Sequence, residues 1–171
     1  KLETEKLKEK GITPGLAVIL VGEDPASKVY VNMKAKACEN SGIKSFLYKF
    51  DENIKEEELL LKIEEINNNP DIHGLLVQLP LPNHINTTKI LESVAPEKDV
   101  DGFHPYNVGR LVTGLDSFAP CTPLGVMELF KEYNINVKGL DACVVGASNI
   151  VGKPMQALLL NQFATVDICH I

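Results

Sequence analysis

The chain has 171 residues, of which 44% are hydrophobic and 23% are charged, as is ordinary for a globular protein. Its net charge of −6 provides no basic stripe to neutralise phosphates, so we expect no nucleic-acid partner. No apolar run approaches the roughly 18 residues that span a bilayer, and the charged N-terminus is not typical of a secretory signal, so we expect no membrane partner either.

Apolar runs alternate with amphipathic segments in the first part of the chain. The patterns predict strands over 16–21, 44–50 and 72–79, and helices over 25–40, 55–67 and 87–93. Strands separated by helices favour parallel pairing with right-handed crossovers. In such sheets ligands gather at the carboxyl ends of the strands. We therefore expect a parallel-sheet α/β domain with a site at that edge.

A second α/β unit follows a segment rich in Gly, Pro, Asp and Asn. We expect loops over 96–122, with at most a short helix near Val108, and then a helix over 123–133. A strand over 142–145, a helix over 154–161 and a strand over 165–169 complete the pattern. We place the boundary near Pro120, which gives domains 1–120 and 121–171. Since the chain begins without Met and stops after a strand, we expect it to be part of a longer protein.

Three side chains of the first long helix suggest an enzyme. Ser27, Tyr30 and Lys34 recur at a spacing that stacks them on one helical face. Lysine is the residue type whose pKa falls readily on desolvation, which suits it to proton transfer. Gln78 is expected at the carboxyl end of a neighbouring strand, so it can converge with Tyr30 and Lys34 on one cleft.

The segment VVGASNIVGKP joins a predicted strand to a predicted helix. Backbone N–H groups and the positive end of a helix dipole at such a turn suit a nucleotide phosphate. The spacing of Gly146 and Gly152 is not the GxGxxG fingerprint, so an ordinary strand-to-helix turn is the alternative. Ser148 could donate its hydroxyl to a phosphate or to a cofactor amide.

Other candidate residues have ordinary structural explanations. Asp99 and Asp101 are either turn-forming residues or carboxylates that accept hydrogen bonds from a planar amidine-like edge. The four histidines and four cysteines show no metal-binding spacing, and we expect the cysteines to be buried reduced thiols.

Five segments in order resemble one family closely. These are VGEDPASKVYVNMK, VQLPLP, PEKDVDGFHP, PCTPLGV and GASNIVGKPM. They resemble the bifunctional methylenetetrahydrofolate dehydrogenase/methenyltetrahydrofolate cyclohydrolase family. The resemblance implies an N-terminal catalytic domain followed by the first part of a Rossmann-like dinucleotide-binding domain. It also implies a cytoplasmic homodimer that interconverts one-carbon folates for purine biosynthesis.

The resemblance assigns a role to each folate-side residue. Lys34 matches the family's catalytic lysine, and Tyr30 matches the tyrosine whose ring lies against the folate. Gln78 matches the glutamine that holds the lysine. Asp101 matches the aspartate that binds the edge of the pterin, and Ser27 matches a serine near the tyrosine. Catalytic roles are thereby implied for Lys34, Tyr30, Gln78 and Asp101. Substrate contacts are implied for Tyr30, Gln78 and Asp101, and also for Ser27, Leu79 and Pro80. The reaction implied is oxidation of 5,10-methylenetetrahydrofolate, then hydrolysis to 10-formyltetrahydrofolate.

The resemblance further implies a nicotinamide cofactor. The residues assigned to it are Gly146, Ala147, Ser148, Ile150, Val151, Gly152 and His170. Many relatives have Arg where this chain has Ala147, and that arginine helps to bind the 2′-phosphate of NADP. His170 is the closest candidate for the position that contacts the ribose of the cofactor. It is not acidic, so it would not repel the 2′-phosphate, and we expect NADP, with NAD as the alternative. No metal is expected.

Two other functions compete with this interpretation. A short-chain dehydrogenase also uses Tyr-x-x-x-Lys, but there the pair follows the glycine-rich loop, whereas here it precedes the loop by more than a hundred residues. The other alternative is a non-catalytic folate-binding or interaction remnant. Because Tyr30 and Lys34 are both present, the sequence gives no sign that the catalytic residues have been lost.

Overall fold

The computed structural model describes residues 1–170, which form two compact units divided between Lys98 and Asp99. The first unit contains α1 (Leu2–Glu9), β1 (Gly15–Val21), α2 (Pro25–Ser41), β2 (Lys44–Phe50), α3 (Glu56–Asn67), β3 (Gly74–Val77) and α4 (Thr87–Ser93). The second contains α5 (Pro105–Val112), α6 (Cys121–Glu132), β4 (Asp141–Val145), α7 (Gly152–Asn161) and β5 (Thr165–Cys169). Within residues 1–170, the helices are too short or too polar to cross a bilayer.

The sheet of the first unit is parallel, with the order β2-β1-β3. The apolar central strand β1 is buried along nearly its whole length, as expected for a strand covered on both faces. Helix α3 packs its apolar side, formed by Leu59, Ile63 and Ile66, into the same core. The predicted parallel α/β architecture is confirmed, and its carboxyl edge lies where β1 and β3 end.

Strand β3 is shorter than the prediction of 72–79. Its ladder with β1 covers only Gly74–Val77, although His73 N still donates to Gly15 O at 2.8 Å and Gln78 N to Ile19 O at 2.9 Å. The chain then turns at the cis peptide bond between Leu79 and Pro80. Gln78 therefore lies one residue beyond the strand and not within it.

Helix α1 has no counterpart in the sequence prediction. None of its residues is buried, and Leu2 is 76% exposed. Because amphipathic periodicity arises from a face that packs on a core, a helix without such a face gives no periodic signal. Its charges suit a helix, with Glu3 and Glu5 in the first turn and Lys6 and Lys8 in the last.

The second unit places helices α6 and α7 against the parallel pair β4 and β5. Both helices begin two residues before the predicted starts at 123 and 154. Pro123 and Pro154 thus lie inside the first turn, where the backbone N–H that proline lacks has no helical partner in any case. The predicted short helix near Val108 is observed as α5.

The predicted domain boundary near Pro120 differs from the division between compact units. The segment from Asp99 to Pro120 belongs with the second unit, and it includes α5, which packs against α7. Helix α7 is anchored there because Asn161 Nδ2 donates to Leu111 O at 2.8 Å. A functional boundary at Pro120 remains a prediction.

Candidate functional site

The first helix of the site starts directly after β1. Asp24 accepts a hydrogen bond from the backbone N–H of Ser27 at 2.7 Å, and Pro25 occupies the first turn of α2. That backbone hydrogen bond is the main cause that lowers the pKa of the Asp24 carboxyl group. Gly42 ends the helix with a left-handed φ of 74°. Local capping therefore fixes where α2 begins and ends.

Helix α2 presents three candidate side chains in different environments. Ser27 is buried, Lys34 is half-buried, and Tyr30 is 59% exposed. An exposed phenol ring one helical turn from a half-buried amine provides a flat apolar surface next to a side chain of a type that can transfer protons. The spacing of these residues was recognisable in the sequence, whereas their different burial required the structure.

Lys34 and Gln78 meet although 44 residues separate them. The ammonium Nζ of Lys34 donates to Oε1 of Gln78 at 3.0 Å. The amide group of Gln78 is itself oriented, because its Nε2 donates to the carbonyl oxygen of Leu79 at 2.8 Å. The carbonyl side of the amide is thereby directed to the lysine. The predicted convergence of the lysine and the glutamine is observed.

Leu79 and Pro80 continue the edge of the sheet beyond Gln78. Leu79 is half-buried and packs against the core of the first unit, while Pro80 is exposed. An apolar core contact on one side and an exposed ring on the other give this segment a fixed backbone and a free outer surface. Their predicted substrate contacts remain predictions.

Asp101 belongs to a tight turn at the start of the second unit. Gly102 N donates to Asp99 O at 3.1 Å, which closes the turn around Val100 and Asp101. Asp101 is half-buried, whereas the Asp99 side chain is only 4% exposed. Asp101 belongs to the second unit, whereas Lys34 belongs to the first.

The loop after β4 has the shape expected of a nucleotide turn. Gly146 adopts a φ of +112°, which side-chain-bearing residues rarely adopt. The hydroxyl oxygen of Ser148 accepts from the N–H groups of Val151 at 3.1 Å and Gly152 at 3.4 Å. The same hydroxyl keeps its own proton to donate. Helix α7 begins at Gly152, so its positive end faces the loop.

A largely apolar cavity of 620 Å³ lies within the second unit beside this loop. Its lining includes Gly146, Ser148, Val151 and Gly152 from the loop, together with apolar side chains of β4, α6 and α7. Ala147 is half-buried, and Ile150 and Val151 are 40% and 39% exposed. His170 follows β5 as an exposed residue.

The expectation that the cysteines are buried is wrong for three of the four. Cys38 is buried, but Cys121, Cys143 and Cys169 are exposed. Cys143 and Cys169 alternate with the residues of β4 and β5 that pack on α6 and α7, so they occupy the opposite face of the sheet. Their sulfur atoms are 3.6 Å apart, and hydrogen bonding to Cys169 raises the pKa of the Cys143 thiol.

Two family models match this chain. The model of the tetrahydrofolate dehydrogenase/cyclohydrolase catalytic domain matches residues 1–101, and the model of the NAD(P)-binding domain of the same family matches residues 120–171. The first match covers more than half of the chain, and it contains the helix α2 and Gln78. The two matches leave the segment that carries α5 between them.

Individual relatives agree with the family models. Bifunctional protein FolD of Nautilia profundicola is 71% identical over 171 residues, which are 100% of this chain and 60% of that protein. The crystal structure of the bifunctional FolD enzyme from Campylobacter jejuni is 58% identical, with a TM-score of 0.97 over 99% of this chain and 61% of that one.

A more distant structure contains a cofactor. The FolD dehydrogenase-cyclohydrolase of Trypanosoma brucei, complexed with NADP and an inhibitor, is 35% identical, with a TM-score of 0.94 over 99% of this chain and 58% of that one. The present chain spans about 60% of the length of these relatives. The matched domains, the site geometry and the similarity along the whole chain lead to one conclusion: the chain belongs to the tetrahydrofolate dehydrogenase/cyclohydrolase family.

Proposed function

We propose that the intact protein oxidises 5,10-methylenetetrahydrofolate with NADP and hydrolyses the methenyl product to 10-formyltetrahydrofolate. The observation that carries this proposal is the hydrogen bond of 3.0 Å between Lys34 Nζ and Gln78 Oε1 at the carboxyl edge of the first sheet. It joins an amine suited to proton transfer to an amide that fixes its position. Family membership supplies the substrate class.

Lys34 acts in the hydrolytic step of the proposed reaction. Water adds to the cationic methenyl carbon, and the ring opens, so protons must move to and from the reacting groups. Gln78 Oε1 holds the lysine nitrogen in place, and Leu79 O holds Gln78 in turn. Such a chain of hydrogen bonds reduces the freedom of the lysine before substrate binds.

The remaining folate contacts surround Lys34. The exposed ring of Tyr30 stacks against the substrate, and Ser27, Leu79 and Pro80 complete the binding surface in this proposal. The exposed side of Tyr30 suits such stacking because its ring is not covered within its own unit. Orientation of the substrate is the main requirement of the oxidative step, since NADP supplies the hydride acceptor.

Asp101 holds the pterin by accepting hydrogen bonds from its amino group and ring N–H. We expect Asp101→Ala to weaken tetrahydrofolate binding by roughly ten- to a hundred-fold, because a charge-assisted hydrogen bond contributes ~1.5–3 kcal/mol. Calorimetric titration of the intact protein would measure this. NADP affinity serves as the internal control and should stay nearly unchanged. Equal tetrahydrofolate affinity of variant and wild type would place Asp101 outside the pterin site.

The loop of residues 146–152 holds the cofactor in this proposal. The loop fits a dinucleotide, because two glycines let the backbone approach a ligand closely and the start of α7 favours an anion. Ser148 donates its hydroxyl proton, and Ala147, Ile150 and Val151 contribute the adjacent loop surface.

NADP is preferred over NAD in our proposal because no acidic residue occupies the position of His170. We expect a higher kcat/KM for NADP, with a smaller preference than in relatives that carry Arg at position 147. His170→Ala should reduce the NADP preference, since a histidine can donate to the 2′-phosphate. Steady-state kinetics with both cofactors on the intact protein decides this. A higher kcat/KM for NAD would refute the assignment.

The protein is further proposed to act as a cytoplasmic homodimer that supplies one-carbon units for purine biosynthesis. We also propose that 1–120 form the folate domain and that 121–171 begin the cofactor domain. These statements are supported by the family resemblance alone. Light scattering after size-exclusion chromatography would test the dimer, and a monomeric mass would refute it.

The activity itself is tested by two assays on the intact protein. Methenyltetrahydrofolate hydrolysis is followed without nicotinamide, and methylenetetrahydrofolate oxidation is followed with NADP. Activity in both assays is the expected result. A protein that binds folate but fails in both would instead be a non-catalytic remnant.

A further inference from the structure

We propose that Asp99 is a positioning residue, which fixes the turn that carries Asp101 and thereby prepares Asp101 to bind the pterin. This inference rests on the proposed function, since it deepens the role given to Asp101. Sequence patterns alone favoured a turn-forming role for Asp99. The structure shows that Asp99 does form a turn, and that its carboxylate is also buried at the centre of a hydrogen-bond network.

The Asp99 carboxylate accepts hydrogen bonds from three donors. Its Oδ2 accepts from the backbone N–H of His104 at 2.9 Å and from Nδ2 of Asn107 at 2.9 Å, and its Oδ1 accepts from the backbone N–H of Phe103 at 3.3 Å. Asn107 is itself only 3% exposed. A buried carboxylate is tolerated only when hydrogen bonds replace its lost hydration, and this network provides them.

The same residue also closes the turn through its backbone. Asp99 O accepts from Gly102 N at 3.1 Å, so Asp101 lies between two positions tied to Asp99. The backbone on the far side is equally constrained. Gly102 has a φ of +67°, and a Cβ atom there would lie 2.6 Å from the carbonyl oxygen of Phe118. The turn is therefore held from both ends, and Asp101 is its third residue.

In this arrangement Asp99 affects the affinity for folate through Asp101, and it does not contact the folate itself. The network also ties the turn to α5, because Asn107 belongs to that helix and His104 accepts from Tyr106 N at its start. Loss of the Asp99 carboxylate would leave its three donors without their acceptor, and the turn would sample other conformations. An Asp101 held in one position loses less freedom on binding than one on a mobile turn.

The test is a double-mutant cycle on the intact protein, with tetrahydrofolate as the titrated ligand. We expect Asp99→Ala to weaken tetrahydrofolate binding ~10-fold or more, and to leave NADP binding within about twofold. In the Asp101→Ala background, the same Asp99 change should cause almost no further loss, because its effect passes through Asp101. A merely structural role would give additive losses.

Asp99→Asn provides a graded variant that preserves the shape of the side chain. The single amide oxygen can still accept from His104 and Asn107, whereas the amide nitrogen faces the N–H group of Phe103. We expect a smaller loss of tetrahydrofolate affinity than for Asp99→Ala. If the alanine variant does not fold, Asp99→Asn replaces it in the double-mutant cycle. Glu97→Gln, an exposed change two residues away, is the matched control and should bind like wild type.

The outcomes separate this inference from the proposed function. Additive losses in the cycle, or a folded Asp99→Ala variant with wild-type tetrahydrofolate affinity, would overturn the positioning role and leave the proposed function standing. A wild-type protein that binds no tetrahydrofolate would overturn the proposed function and this inference with it.

Discussion

Lys34→Met is expected to lower the cyclohydrolase rate of the intact protein by ~10²- to 10⁴-fold, which is the usual cost of losing a general acid–base group. Methionine has a similar length and an apolar end, so it fills the half-buried position while it removes the donor to Gln78 Oε1. The expected loss is therefore chemical and not structural. Initial rates of methenyltetrahydrofolate hydrolysis, with thermal unfolding as a check on folding, provide the measurement.

A matched control lies on the same helix. Lys36→Met changes an exposed lysine two residues further along α2, and we expect a rate close to that of wild type. The comparison separates the loss of Lys34 itself from a general effect of removing one positive charge from α2. A Lys34→Met protein that retained more than half of the wild-type hydrolysis rate would remove Lys34 from the mechanism.

Gly152→Ala is expected to destabilise the second unit and to impair cofactor binding severely. A Cβ atom at this position would clash with the carbonyl oxygen of Gly146 and would lie 2.7 Å from the Gly146 carbonyl carbon. These are backbone atoms, so the loop of residues 146–152 must move to relieve the clash. Overpacking of this kind costs ~1–3 kcal/mol, and we expect NADP affinity to fall more than about tenfold.

The chain offers a control glycine for this experiment. Gly125 lies within α6, and a Cβ atom there would meet no atom within 4 Å. Gly125→Ala should be neutral or stabilising by ~0.5–1 kcal/mol, because alanine is the better helix former. Urea unfolding and NADP titration of both variants make the comparison. A Gly152→Ala protein with wild-type stability and NADP affinity would show that the loop is not closely packed.

Most of the elements could be predicted because their signals are local. Strand β1 is a continuous apolar run, and α2 has a capping aspartate before it and a glycine after it. The two sheets are parallel, as the alternation of strands and helices required. Helix α1 was missed because it buries no side chain. The starts of α6 and α7 were misplaced because proline is tolerated within a first turn.

The candidate site could be predicted only where one element or one strand end defines it. The spacing of Ser27, Tyr30 and Lys34 is a property of a single helix, and the position of Gln78 follows from the end of a strand. Their roles in catalysis and binding, like those of Asp101 and the loop of residues 146–152, remain predictions.

The sequence by itself determined the parallel α/β class, the order of the elements and the residues that could react, because these depend on local periodicity, capping and strand ends. Only the tertiary structure decided which side chains meet. The amide oxygen of Gln78 accepts a hydrogen bond from Lys34 because β3 pairs with β1, and β1 leads into α2. The carboxylate of Asp99 is buried, and it accepts from three donors that lie 4, 5 and 8 residues further along the chain. Such contacts depend on side-chain direction and burial, which sequence spacing does not encode.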